Sequence, residues 1–553
     1  MASRRIDTLR PIKVIIIGAG ISGILSTIKL QQLVKGLDVV IYEKNADLGG
    51  TWYENRYPGV ACDIPAHTYQ LSWDSNSAWS QFYASGPEIL AYWHRVAEKY
   101  DVRKHMNFSH CVAEARWDEV AARWAVTVTN IMDGQSATDH CDILITATGV
   151  LNQWEWPSIP GLMDFGGKLL HSANWDTEID VQGKNVAVIG AGSSGIQIVP
   201  SIQPGVRRLD HYVRGRTWIA TPFAAQEIQK RGLDESNFSY LPQDIEAWGR
   251  DPESYLRYRK RLEDTVQSNY DVVLRGSISQ TKAKEYFRML MAQRLTKKPE
   301  LLDHFLPTFS PLCKRLTPGP GYFEALTEDN VDVVTIPIER ITKTGIVTTD
   351  GRHRDVDAIV CATGFNTHFT NRFPVYGESG AQLFSERDGI IPRLSNYMSL
   401  AVHGFPNLFQ FLGPNSGVGH GNLLIMLETM AEYVAKAVEK LQAQDIRTIQ
   451  PSMAAMNHFM QHCDDHFQRT VFSEDCSSWY KTDGRVAALW PGSSLHAVKA
   501  FKHPRWEDWE YTYIDNNNMS WLGDGSTEAD WDRSIDKSYY LTSLESVKND
   551  LRR

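Results

Sequence analysis

The stretch Lys13-Val14-Ile15-Ile16-Ile17-Gly18-Ala19-Gly20-Ile21-Ser22-Gly23 decides the reading of the fold. Four β-branched residues run into three glycines spaced GxGxxG, and apolar residues recur at Ile21, Ile24, Leu25 and Ile28. A buried strand over residues 13–17, a tight turn and a helix to about Leu33 are predicted. Residues 38–43 read as a second strand ending in Glu43, twenty residues after Gly23. In this pattern Gly18 makes the turn, Gly20 lets backbone approach a pyrophosphate, and Gly23 lets helix pack on strand. The helix N-terminus offers free N–H groups and partial positive charge to the phosphates. Glu43 would bond a free ribose 2′-hydroxyl and repel a 2′-phosphate, which suits FAD or NAD. A glycine loop alone is common; strand, helix and acid falling together in register carry the reading.

About 170 residues later the pattern returns. Residues 185–189 form a strand, Gly190-Ala191-Gly192-Ser193-Ser194-Gly195 opens a helix, and residues 209–213 form the next strand. Here the tip carries Arg214-Gly215-Arg216 instead of an acid. A guanidinium can fork onto a 2′-phosphate, so this site reads as NADP-specific. A single arginine is more often a solvated surface residue; the place at the strand tip favours the phosphate role, without choosing between Arg214 and Arg216. Two such folds of opposite ribose preference imply hydride transfer from NADPH to a bound flavin.

Two echoing segments, residues 143–149 and 359–364, end in Ala-Thr-Gly. They suggest where one domain interrupts the other. The expected architecture is α/β, with two Rossmann-like dinucleotide-binding domains and a helical insert. The FAD domain would comprise residues 1–150 and, with a C-terminal extension, 366–553. The NADP domain would comprise 157–224 and 312–365, and a charged helical insert 225–311. A glycine-rich turn at residues 413–421 precedes a helix over 423–441, placed to approach a flavin or to serve as a plain junction. Aromatic density from Trp506 to Tyr511 argues for packing of the C-terminal stretch rather than disorder.

With 553 residues the chain exceeds one ordinary core. Its 42% hydrophobic and 22% charged residues are those of a globular protein. A formal net charge of −9 gives no basic face for nucleic acid. Arg4, Arg5 and the following apolar run mimic a secretory signal, but that run leads into the glycine loop. No apolar stretch approaches the ~18 residues of a membrane span. Seven cysteines, none at CxxC spacing, read as reduced thiols of a cytoplasmic protein, with no metal site.

Gly49-Gly50-Thr51-Trp52, Tyr57-Pro58-Gly59 and Asp63 resemble one fingerprint of the type I Baeyer–Villiger monooxygenases. Phe165, Gly167, His171, Trp175 and Asp176, spaced FxGxxxHxxxWD, resemble the other. The resemblance covers nearly the whole chain. It implies FAD and NADPH as cofactors, with O2 and a ketone converted to an ester or lactone through a C4a-peroxyflavin. It further implies that Arg315 is the catalytic arginine, Asp63 its orienting carboxylate, and Lys314 a contact to the NADP phosphate. Thr51 and Trp52 would lie at the flavin, Trp479 on a mobile loop folding over NADP, and His171 in a linker coupling the domains. Asn366 stands where many members carry aspartate, and Arg214-Gly215-Arg216-Thr217-Trp218 departs from the commoner Gln-Arg-Thr-Pro form. Residues 490–493 and 504–511 resemble longer members that accept bulky cyclic or polycyclic ketones. The competing readings are a flavin monooxygenase acting on amine nitrogen or sulfide sulfur, and a non-catalytic flavin-binding module.

Overall fold

The computed structural model describes residues 4–541 except 221–222, 233–236, 368, 370–371, 385–393 and 516, so residues 542–553 of the expected extension lie outside it. Two separate five-stranded parallel sheets organise the chain. In the first, Leu408–Gln410, Ile143–Thr146, Ile12–Ile17, Leu37–Tyr42 and Met106–Asn107 lie side by side in that order. In the second the order is Val331–Val334, Arg208–Tyr212, Asn185–Ile189, Ala358–Cys361 and Lys168–His171. The central strands are buried along nearly their whole length, as a parallel sheet covered on both faces requires. That explains the continuous β-branched runs, where an antiparallel strand would alternate.

Each glycine loop joins its central strand to a helix, Ile21–Leu33 in the first fold and Ser193–Ile202 in the second. Gly18 (φ +108°) and Gly190 (φ +111°) occupy the same place in the two folds. A Cβ on Gly18 would lie 2.6 Å from the Ala147 carbonyl oxygen, and one on Gly190 2.4 Å from that of Ala362. Ala147 and Ala362 are the alanines of the two Ala-Thr-Gly segments, so the echo in sequence is one packing contact made twice.

Helix Ile21–Leu33 packs on the long helix Leu423–Ala443, which returns the later part of the chain to the first core. Strand Trp509–Tyr513 pairs antiparallel with Ile446–Pro451, which anchors the aromatic C-terminal stretch. Helices Pro242–Arg250, Pro252–Gln267 and Ile278–Arg294 stand in the region read as an insert. Its aromatic residues Tyr240, Trp248, Tyr255 and Tyr258 pack with Phe82 and Tyr83 of the earlier chain in one buried cluster. Buried His67 sits among these rings, accepting or donating at Nδ1 with the Tyr255 hydroxyl at 2.7 Å. The pairing is invisible in sequence because it joins residues 188 apart.

One expectation changes. His171 is not in a linker but ends Lys168–His171, the edge strand of the second sheet. Among the described residues no helix is long and apolar enough to cross a membrane.

Candidate active site

The two loops open onto one cavity of about 520 Å³. Gly18, Gly20, Glu43, Thr51, Trp52 and Asp63 line it from the first fold, and Ser193, Ser194, Arg315 and Trp479 from elsewhere in the chain. A Cβ on Gly20 would meet only the Gly50 backbone, at 3.6 Å, and one on Gly192 nothing within 4 Å. The middle glycine of the second loop therefore faces open space and that of the first only touches another glycine, while Gly23 and Gly195 back tightly onto the carbonyls of Gly18 and Gly190. That is the shape a dinucleotide pyrophosphate needs.

Glu43 follows strand Leu37–Tyr42 and is buried, its oxygens accepting the Ala19 and Asn45 N–H groups at 2.8 Å. Burial raises its pKa, partly offset by those two bonds. Trp52 is buried, with Nε1 donating to the Tyr69 hydroxyl at 3.3 Å, while Thr51, at the start of a short helix, is exposed to the cavity.

Arg315 and Asp63 meet in a bidentate pair. Nη2 donates to Oδ1 at 2.7 Å and to Oδ2 at 2.9 Å, and Nε donates to Oδ2 at 3.3 Å. The Asp63 charge, opposed by desolvation, raises the guanidinium pKa. About a third of the Arg315 side chain stays exposed, so the paired cation still faces the cavity. Buried Tyr480 lies beside this pair, and its pKa is raised chiefly by desolvation. Sequence reading passed over Tyr480; its adjacency to Trp479 was the available signal.

Arg214, Arg216 and Lys314 lie outside the cavity lining. Arg216 Nη1 donates to the Leu306 carbonyl at 3.0 Å, and Lys314 Nζ donates to the Arg216 carbonyl at 3.3 Å. Burial lowers the Lys314 pKa, and the two charges that act on it, Arg214 and Lys481, are both positive. Such a cluster suits a phosphate dianion. Arg216 and Lys314 each give one donor to a backbone carbonyl, whereas the Arg214 guanidinium makes no such bond among the described residues.

The fingerprints have a structural role here. Tyr57 Oη donates to Gln197 Oε1 at 2.8 Å, and Gln197 Nε2 donates to the Ala61 carbonyl at 3.0 Å. Gln197 belongs to the helix opened by the second glycine loop, so these bonds cross from one fold to the other. In the second fingerprint, His171 is buried and stacks on Trp154 at 4.7 Å. Its Nδ1 accepts the Ala173 N–H at 3.1 Å, which leaves the proton on Nε2, 3.3 Å from Thr363 Oγ1. Phe165 packs with a small core beneath the second sheet, and a Cβ on Gly167 would strike its ring at 2.7 Å. Trp175 packs on the second core, and exposed Asp176 caps a turn by accepting the Glu178 N–H at 3.0 Å.

The expectation of seven reduced thiols is corrected: Cys313 and Cys476 form a disulfide across 163 residues. Local spacing could not reveal it, because the cysteines meet only when residue 313 and the Trp479 loop are brought together. The other five cysteines are free.

Comparison with known proteins gives the family. Residues 11–224 match the family model described as flavin-binding monooxygenase-like. The chain is 38% identical to the FAD-binding monooxygenase tazF of Aspergillus terreus, over 97% of this chain and 95% of that protein. It is 33% identical to a Baeyer–Villiger monooxygenase of Pseudomonas aeruginosa, over 87% of this chain and 88% of that protein. Among solved structures, cyclohexanone monooxygenase from Rhodococcus sp. Phi1 bound to NADP+ superposes with a TM-score of 0.78 at 26% identity, covering 91% of this chain and 100% of that one. OTEMO in complex with FAD and NADP gives 0.78 at 26% identity, covering 91% and 99%. The chain is an enzyme that belongs to the flavin-binding monooxygenases of the Baeyer–Villiger family.

Proposed function

We propose that the chain oxygenates a ketone to an ester or lactone, using FAD, NADPH and O2. The observation that carries this reading is the Arg315–Asp63 pair at the cavity onto which both loops open. FAD would lie along Gly18, Gly20 and Gly23 with its ribose at Glu43 and its ring side toward Thr51, Trp52 and Asp63. NADP would lie along Gly190, Gly192, Ser193, Ser194 and Gly195, its 2′-phosphate at Arg214 and Lys314, with Arg216 at the margin. When bound, FAD reduced by NADPH supplies oxygen activated from O2.

The protein's own part is electrostatic and steric. Arg315 presents a charge that does not titrate in any working range, and so stabilises negative charge on oxygen in the cavity. Asp63 holds the guanidinium plane by two parallel bonds, which keeps the charge in place without reorganisation. Trp479 and Tyr480 close the wall beside it and exclude water, which would otherwise screen that charge. Residues 1–150 and 366–553 would serve FAD, residues 157–224 and 312–365 NADP, with 225–311 as the insert between. We place the enzyme in the cytoplasm, where NADPH is supplied.

The test is NADPH consumption by the purified protein with ketones and sulfides, products identified by mass spectrometry. A lactone or ester one oxygen heavier than the ketone is expected. Sulfoxides or N-oxides without any ester would overturn the reading.

A further inference from the structure

The disulfide joins two segments that matter to the site. Cys313 directly precedes Lys314 and Arg315, and Cys476 stands three residues before Trp479. Lys481 lies against both sulfurs, with Nζ 3.8 Å from Cys313 Sγ and 3.5 Å from Cys476 Sγ. The ammonium is held there by the carbonyls of Glu474 and Cys476. Of the two cysteines, Cys313 is fully buried and Cys476 half-buried. Glu474 Oε2 also accepts the Ser310 N–H at 2.8 Å and the Tyr480 carbonyl accepts the Ala487 N–H at 2.9 Å, so the disulfide is one tie on the Trp479 loop among several.

A disulfide that serves only stability is uncommon where thiols are kept reduced; those that occur there are mostly catalytic or redox-sensing. A cation beside the sulfurs favours the thiolate, the reactive form in exchange and oxidation. We propose that Cys313–Cys476 is a redox-modification site, reduced by small thiols and re-formed by hydrogen peroxide. Its oxidised form holds the Trp479 loop against the Lys314–Arg315 segment.

The chemistry balances. An external thiolate attacks Cys476 Sγ, on the less buried of the two cysteines; the S–S bond breaks and its electron pair leaves on Cys313 Sγ, beside the Lys481 ammonium. A second external thiolate releases Cys476, so two thiols become one disulfide and the protein gains two thiols. In the reverse sense the Cys476 thiolate attacks one oxygen of hydrogen peroxide and expels hydroxide, giving a sulfenic acid. The Cys313 thiol then displaces the sulfenic hydroxyl as water and closes the S–S bond. The sulfur chemistry stands by itself, whereas its effect on NADP rests on the proposed function and on the place over that cofactor that the family resemblance implies for Trp479.

The experiment uses the full-length holoenzyme, with differential alkylation and non-reducing peptide mapping during graded dithiothreitol and then hydrogen peroxide. NADP+ affinity is measured by equilibrium dialysis in both states. The expected result is a linked 313–476 peptide that disappears with dithiothreitol and returns with peroxide. Reduction should weaken NADP+ binding on the order of five- to tenfold. Cys476→Ser should match the reduced protein whatever the redox treatment, and Lys481→Met should slow peroxide closure about tenfold, the effect of one pKa unit on thiolate. A link that never forms, or does not re-form with peroxide, overturns the site. A reversible link with equal NADP+ affinity in both states overturns the hold on the loop. Neither result depends on which substrate is oxygenated, so failure here is distinct from failure of the ketone assay.

Discussion

Arg315 reaches across 252 residues of sequence to grip Asp63 through both carboxylate oxygens. The first fold thereby supplies the anion that orients a cation carried on the chain just before strand Val331–Val334 of the second sheet. Without its partner Arg315 would keep its charge and lose its direction.

Removing either member of this pair should separate binding from oxygenation. Arg315→Ala should lower kcat for ester formation by about 100- to 1000-fold, the usual effect of losing one preorganised charge-stabilising group. Arg315→Lys should rescue little, because an ammonium cannot make the two-pronged contact. Rapid-mixing measurement of flavin reduction and of ester yield checks this. Unchanged ester yield in Arg315→Ala would remove the arginine from the chemistry.

Arg214→Ala and Lys314→Ala should each raise KM for NADPH by about 10- to 100-fold, the effect of losing a charge-assisted hydrogen bond. KM for NADH should hardly move, since it carries no 2′-phosphate, and Arg216→Ala should do less to NADPH. Steady-state kinetics of the three variants with both nucleotides checks this; equal losses with NADH would take the 2′-phosphate away from these residues.

Gly59 has φ +83°, and a Cβ there would lie 2.0 Å from Ser201 Oγ and 2.7 Å from the Gln197 carbonyl. Gly59→Ala should therefore destabilise the protein by about 1–3 kcal/mol, the cost of overpacking a tight contact. Ser201→Ala should relieve it only in part, because the Gln197 carbonyl is backbone. Thermal melts of the single and double variants measure the difference.

Desolvation lowers the pKa of buried His171 from 6.5 to about 4. On acidification the unfolded chain takes up this proton first, so stability is complete above pH 6.5 and falls as pH drops toward 4. One such group contributes on the order of 3 kcal/mol. Buried His67, lowered to about 3, and His211, lowered to about 4, act in the same direction. Melting temperature against pH should be shallower for His171→Gln than for the parent; identical slopes would assign the acid sensitivity elsewhere.

Much of the architecture is local and was legible. The strands of residues 13–17 and 185–189 are rich in β-branched residues, and the glycines follow at the spacing a strand–turn–helix crossover demands, so neighbouring residues carry that information. Even the repeated Ala-Thr-Gly marked a real contact, with Gly18 and Gly190. The short strand ending at His171 was missed, because four residues at a sheet edge carry no periodicity of their own.

The sequence by itself determined two parallel glycine-loop folds with an acid at one strand tip and arginines at the other. Only the tertiary structure decided that Tyr57 bonds Gln197, that Tyr480 stands beside Arg315, that Arg216 turns to a carbonyl, and that Cys313 pairs with Cys476. Turns and strands follow from steric and packing preferences acting over a few residues. Contacts between side chains more than a hundred residues apart depend on how whole sheets and helices pack, and no pattern along the chain encodes that packing one pair at a time.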